Sequence, residues 1–129
     1  MGSNNSTSSD ASWVDVSPLE EVADGDAALM VRALQEFNKQ LEELDHSYKK
    51  ALTNRDYEQL RQLHHKLKPS LQLICMPELN QHFDHSRALI QAEQSIDPET
   101  FSQLQKKMES LLERIRPELK LHISRWKNA

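Results

Sequence analysis

Two histidines stand side by side in Leu63-His64-His65-Lys66-Leu67-Lys68-Pro69-Ser70-Leu71, and helical geometry assigns them opposite fates. Winding the segment at about 100° per residue gathers Tyr57, Leu60, Leu63, Leu67, Leu71 and Ile74 into one apolar arc. His64 falls inside that arc and is expected to be buried and bonded to a neighbouring helix. His65 falls outside it, in a polar stripe with Arg61, Lys68, Pro69 and Gln72. An outward imidazole is a nucleophile: in water it titrates near about 6.5, so close to neutrality much of it carries a free ring nitrogen. A phosphoryl group is one of several electrophiles open to such a ring beside cations. Its transfer passes through a metaphosphate-like species with charge on the equatorial oxygens, so positioning and electrostatics dominate. Lys68, three residues on and on the same side, places an ammonium beside those oxygens. Arg61, one turn back, does the same or steers a partner, and Lys66, further round, is a rim contact.

The elements that must hold this stripe are all helical in pattern. Aromatic residues make up 5% of the 129 residues and glycine occurs twice, a composition of packed helices rather than sheets. Ser17-Pro18-Leu19-Glu20 reads as a helix start, with Ser17 as N-cap, proline in the first turn and glutamate three residues after the cap. Gly25 stops that short helix, and Asp26 caps a long one with apolar residues at Met30, Leu34, Phe37, Leu41, Leu44, Tyr48 and Leu52. Asn54 to Asp56 turn the chain into the histidine helix, which ends near Cys75-Met76-Pro77. Pro77 opens the next helix, lined inwardly by Leu79, Phe83, Ser86, Ile90 and Glu93, the least apolar of the set. Asp97-Pro98 opens the last. Its stripe runs from Phe101 through Leu104, Met108, Leu111, Leu112, Ile115, Leu119 and Ile123 to Trp126, and Pro117 interrupts the hydrogen-bond ladder but not the stripe, so one kinked helix is expected. The predicted fold is all-α: an antiparallel up-down-up-down four-helix bundle with a short extra N-terminal helix, spanning residues 17–129. Residues 1–16 are expected to be disordered linker, with Trp13, Val14 and Val16 able to dock onto the bundle.

His65-Lys66-Leu67-Lys68 followed by a compact residue and Ser70 resembles the motif of the histidine phosphotransfer (HPt) domain of multistep phosphorelays. Ser17-Pro18-Leu19-Glu20-Glu21-Val22-Ala23-Asp24-Gly25-Asp26 is similar to that family's short first helix and Gly-Asp turn, and Thr53-Asn54-Arg55-Asp56 to the turn before its histidine helix; the likeness covers roughly residues 17 to 95. The resemblance implies that His65 accepts a phosphoryl group from a receiver-domain aspartate and passes it to another receiver. It implies transient binding through Arg61, Lys66, Lys68 and Gln72, no cofactor in this chain, and a Mg²⁺ ion held by the receiver. It also implies a cytoplasmic monomer, either free-standing or the C-terminal part of a membrane-anchored hybrid sensor kinase; the polar N-terminal stretch favours the second.

Four positions depart from the family pattern. Pro69 stands where the family has a glycine that clears space over the imidazole. It lacks an N–H, which frees the carbonyl of His65 at roughly 3 kcal/mol in a helix interior, and a local kink that exposes the ring is expected. Arg87 stands where the family usually has Gln or Glu to hold the other imidazole nitrogen; a guanidinium cannot accept that N–H, so Arg87 is either a contact to phosphoryl oxygens or an ordinary edge residue. Cys75 replaces a turn glycine, and His64 an alanine. These departures keep a second function open: a helical adaptor with an HPt-like bundle that binds receivers or other signalling partners without chemistry.

Other chemistries fit less well. His82 and His85, three apart, would need His64 or His65 and a further ligand to hold a metal. Glu43-Leu44-Asp45-His46 has the Glu-x-x-His form of di-iron bundles, which need two such pairs, and His46 lies opposite the Leu44/Tyr48 seam. With glycine at positions 2 and 25 only, no Gly-rich phosphate cradle exists, so the phosphoryl carrier that the resemblance implies is expected to have no ATP-dependent activity of its own. A net charge of −4 argues against nucleic acid as partner. One cysteine excludes an intramolecular disulfide, and no apolar run approaches the roughly 18 residues of a membrane span.

Overall fold

The computed structural model describes residues 13–92 and 97–129. Among them are five helices and no strand: α1 (Ser17–Ala23), α2 (Ala27–Thr53), α3 (Tyr57–Leu73), α4 (Pro77–Gln91) and α5 (Pro98–Lys127). No described helix is long and apolar enough to cross a membrane.

Local capping sets most of the boundaries. The Asp26 carboxylate accepts from the Leu29 N–H at 3.0 Å, Asp56 from Gln59 at 3.0 Å and Asp97 from Thr100 at 2.7 Å, each satisfying an orphan donor of a first turn. These three bonds start α2, α3 and α5. At the start of α1 the expected Ser17 cap is replaced. The cap position is Val16, without a side-chain bond, and the Asp15 carboxylate takes both the Ser17 N–H, at 3.0 Å, and its hydroxyl, at 2.7 Å. Two donors on one carboxylate hold Asp15 below the usual acid range. The physical reason is reach: an acid two residues upstream captures the serine before it can turn back on its own helix.

The chain leaves α1 through two left-handed residues, Asp24 (φ 47°) and Gly25 (φ 86°). It leaves α2 through Arg55 (φ 50°), where Asp56 N–H bonds Ala51 O at 2.9 Å and Arg55 N–H bonds Leu52 O at 3.0 Å. That nested pair is a Schellman closure built on arginine rather than glycine. Pro69 and Pro117 both sit inside continuous helices, so α5 is one helix as its stripe predicts.

Packing follows the apolar stripes. Met30, Leu34, Phe37, Leu41, Leu44, Tyr48 and Leu52 of α2 are all buried, as are Leu104, Met108, Leu111, Leu112, Ile115 and Leu119 of α5. These two longest helices share the most extensive contact. α3 packs between α2 and α4, α4 between α3 and α5, and α1 lies on α2 and α3. Leu79, Phe83, Ser86 and Ile90 of α4 are buried as expected, whereas Glu93 falls outside the described residues, as do residues 1–12.

Among the described residues, packing includes the segment ahead of α1 from Trp13 onward, upstream of the boundary expected at residue 17. Val14 and Val16 belong to the core. Asp15 and Cys75 exchange backbone bonds of 2.9 and 2.8 Å, and the Glu118 carboxylate accepts the N–H groups of Trp13 and Val14 at 2.9 and 3.2 Å. Arg114 lies over the Trp13 ring at 4.6 Å. Alternation of Val14 and Val16 is too short a pattern to distinguish a packed strap from linker, and the acceptor that holds it lies over a hundred residues away.

A polar cluster crosses the core between α2, α4 and α5. His82 Nε2 lies 3.0 Å from Leu104 O and 2.8 Å from Tyr48 Oη. A carbonyl only accepts, so Nε2 carries the proton and shares it between the two oxygens. Tyr48 then donates to Ser86 Oγ at 2.6 Å, and Ser86 donates to His82 O at 2.8 Å, leaving each hydroxyl satisfied. Burial pushes His82 down to about 4, against the pull of the Leu104 carbonyl, and Tyr48 up to about 12. In the unfolded chain His82 takes a proton below about 6.5. Stability is therefore fully present above that pH and is lost as pH falls towards about 4, by about 3 kcal/mol. Urea unfolding across this window should show that loss, and His82→Gln should flatten it.

Candidate functional site

α3 presents the candidate site, and the two adjacent histidines occupy different environments on it. His64 is 2% exposed. Its ring stacks on Phe83 of α4, centroids 5.0 Å apart and planes within 9°. Nε2 meets Asn80 Oδ1 at 2.6 Å and Nδ1 meets an Arg87 guanidinium nitrogen at 3.1 Å. Arginine only donates, so Nδ1 accepts and the Nε2–H donates to Asn80: the tautomer follows from the partners. The Asp84 carboxylate, 3.8 Å from Nδ1, is beyond hydrogen-bond range.

His65 is exposed. No described residue is hydrogen-bonded, ion-paired or stacked against its ring. Lys66, Lys68, Pro69 and Gln72 are exposed with it, and helical spacing puts Lys68 and Arg61 on its side of the helix, with Cβ atoms about 5–6 Å away. Arg61 is itself exposed and forks onto Glu58, its Nε 3.1 Å from Oε1. This pair pulls Glu58 below the usual carboxylate range and raises Arg61. An exposed pair of this kind exchanges readily with solvent, so Arg61 can swing to another anion.

The stripe forms a ridge between two grooves. On one side Lys66 rims a small cleft of about 60 Å³ between α2 and α3, floored by Leu44, Leu63 and Leu67. On the other, Lys68 and Gln72 rim an open groove of about 340 Å³ with Leu71, Met76 and Pro77 along it. Ser70, at the motif's end, turns its hydroxyl to Gln40 of α2 at 3.3 Å and so ties the two helices.

Arg87 is turned to the buried histidine. Its guanidinium is bound to His64, and it also lies 3.5 Å from Tyr57 Oη and 5.8 Å from the centre of the Tyr57 ring. It braces the buried histidine instead of standing beside His65. The cause is proximity: a half-buried arginine on α4 meets the unprotonated Nδ1 that faces it, whereas His65 points away from α4. Its Nε is buried without a partner among the described residues, a cost accepted for that brace.

The histidine pair of α4 is likewise divided. His82 is buried with Nε2 committed to Tyr48 and Leu104, while His85 is exposed. Both nitrogens of His64 are committed as well, so these rings do not converge on an ion; among the described residues no group of three or more His, Cys, Asp or Glu is placed to hold one. Sequence reasoning missed Asn80 and the Tyr48–His82–Ser86 cluster. His82 falls three residues after Leu79 and four before Ser86, a spacing that places it on the buried face; its polarity concealed the signal.

Comparison with protein-family models, with curated proteins and with solved structures gives no match to this chain.

The two histidines should respond differently to substitution. His64→Ala should cost about 2–4 kcal/mol in urea unfolding, because it removes a stacked ring and orphans Asn80 and Arg87. His65→Gln, at an exposed unpartnered position, should stay within about 0.5 kcal/mol of the parent.

Proposed function

We propose that this chain is a histidine phosphotransfer domain of a phosphorelay, with His65 as the phosphoacceptor. The observation that carries the reading is the division of the histidine pair: His64 is locked to α4 on both nitrogens, and His65 is left exposed among Arg61, Lys66 and Lys68. The fold proposed with it is an up-down-up-down antiparallel bundle of α2 to α5, with α1 as the extra short helix. Its support is that each of the four packs on its neighbours in chain order and α5 closes back on α2, with tight turns at residues 54–56 and 74–76.

In the proposed reaction an unprotonated ring nitrogen of His65 attacks the phosphorus of an aspartyl phosphate on a receiver domain. The N–P bond forms as the P–O bond to the aspartate breaks. The electron pair leaves with the carboxylate, and the other ring nitrogen keeps its proton, giving a cationic phosphoimidazole. Transfer to a second receiver runs the same step backwards. Lys68 neutralises the equatorial oxygens in flight, and Gln72 and Lys66 contact the docked partner. The Mg²⁺ and the acidic pocket belong to the receiver. Nothing in the scaffold needs to move, which suits a short-lived complex.

A second reading, a non-catalytic adaptor, is favoured by one observation: Arg87 is turned to His64, leaving the other nitrogen of His65 with no described partner.

Incubation with a phosphorylated receiver separates the two. The parent should acquire acid-labile, base-stable phosphate, Lys68→Ala should acquire it about tenfold more slowly, and His65→Gln, with an unchanged helical circular dichroism spectrum, should acquire none. Label persisting on His65→Gln would overturn the assignment, and binding of the receiver without label on the parent would establish the adaptor.

A further inference from the structure

Pro69 lies inside α3, exposed, four residues after His65. A proline has no N–H, and its ring crowds the carbonyl one turn back, so the bond that would close on His65 O is absent while the helix continues to Leu73. No side chain of a described residue donates to that carbonyl: the nearest hydroxyl along the motif, Ser70, is turned to Gln40. The residue that presents an unpartnered imidazole to solvent therefore presents beside it a backbone carbonyl that has lost its i+4 donor, on the ridge between the two grooves. Proline in a helix interior lowers stability, and the exposed ring of Pro69 buries little apolar surface to offset this.

We propose that the freed carbonyl of His65 is a docking acceptor, taking a hydrogen bond from an N–H or O–H group of the receiver and so fixing the register of the incoming phosphoaspartate against the imidazole. This rests on the phosphotransfer reading and assigns Pro69 a positioning role within it. The acceptor and the nucleophile belong to one residue, so a donor seated on the carbonyl constrains where the partner's phosphoryl group meets the ring, without a flexible side chain in between. Lys68 attracts the phosphoryl oxygens as a point charge; the carbonyl adds direction.

Pro117 supplies an internal control. It too is exposed inside a helix and frees a carbonyl, that of Glu113, but on α5, which does not pack against α3. Alanine at either position restores the missing N–H and closes the helical bond, and both variants should unfold at higher temperature than the parent. Labelling is then followed with two donors: a receiver domain phosphorylated with acetyl phosphate, and the small molecule phosphoramidate, which has no surface to dock. Pro69→Ala should be labelled about threefold to tenfold more slowly by the receiver, the equivalent of one net hydrogen bond, and at the parent rate by phosphoramidate. Pro117→Ala should match the parent with both donors.

Equal rates for Pro69→Ala and the parent with the receiver would overturn the docking role while leaving His65 as phosphoacceptor. An unchanged unfolding temperature in Pro69→Ala would overturn it too, because the carbonyl would not have been free. Slowing with both donors would reassign Pro69 to the reactivity of the ring itself. A parent that no phosphorylated receiver labels would remove the phosphotransfer reading, and this inference with it.

Discussion

The rotation of α3 about its own axis is the constraint on which the site depends. Consecutive helical residues point about 100° apart, so a turn of that size would carry His65 into the buried place that His64 holds. Apolar contacts alone hold such a rotation loosely, since Leu60, Leu63, Leu67 and Leu71 are similar in size and grease has no direction. The His64 ring supplies the direction. It must lie flat on Phe83 while one nitrogen reaches Asn80 and the other receives Arg87, and a rotation that satisfies all three leaves His65 facing solvent. The buried histidine is in this sense the anchor of the exposed one.

The same reasoning explains how α4 is held although it carries the weakest apolar stripe. Its face towards α3 supplies Asn80, Phe83 and Arg87, and its face towards α2 and α5 supplies His82 and Ser86. Two directional polar clusters therefore fix a helix that leucines alone would leave free to slide. Such clusters are stable because their groups are paired: His82, Tyr48 and Ser86 form a chain in which each hydrogen has one acceptor or two. The exception is Arg87 Nε, buried and unpartnered among the described residues. The second cluster centres on His82, which burial holds neutral, so acid loosens that arrangement.

A third tie comes from the segment ahead of α1. Glu118 of α5 holds the backbone of Trp13 and Val14, and Asp15 pairs with Cys75 at the turn between α3 and α4. The strap thus runs from the last helix to the end of the histidine helix and buries Val14 and Val16 on the way. Cys75 is used here through its backbone, and a backbone role places no demand on the side chain.

Much of this was legible in the residues alone. The stripes of α2 and α5, the caps Asp26, Asp56 and Asp97, the turn at Asn54 and the opposite fates of His64 and His65 follow from local rules, because helical periodicity and capping act over four residues or fewer. The tertiary structure decided what depends on partners far apart in sequence. Arg87 goes to His64 because α4 lies against that side of α3. His82 is buried because Tyr48 and the Leu104 carbonyl close over it, and Trp13 joins the packed unit because Glu118 is there to receive its N–H. A sequence names the donors and acceptors, but which of them meet is set by how the helices come together.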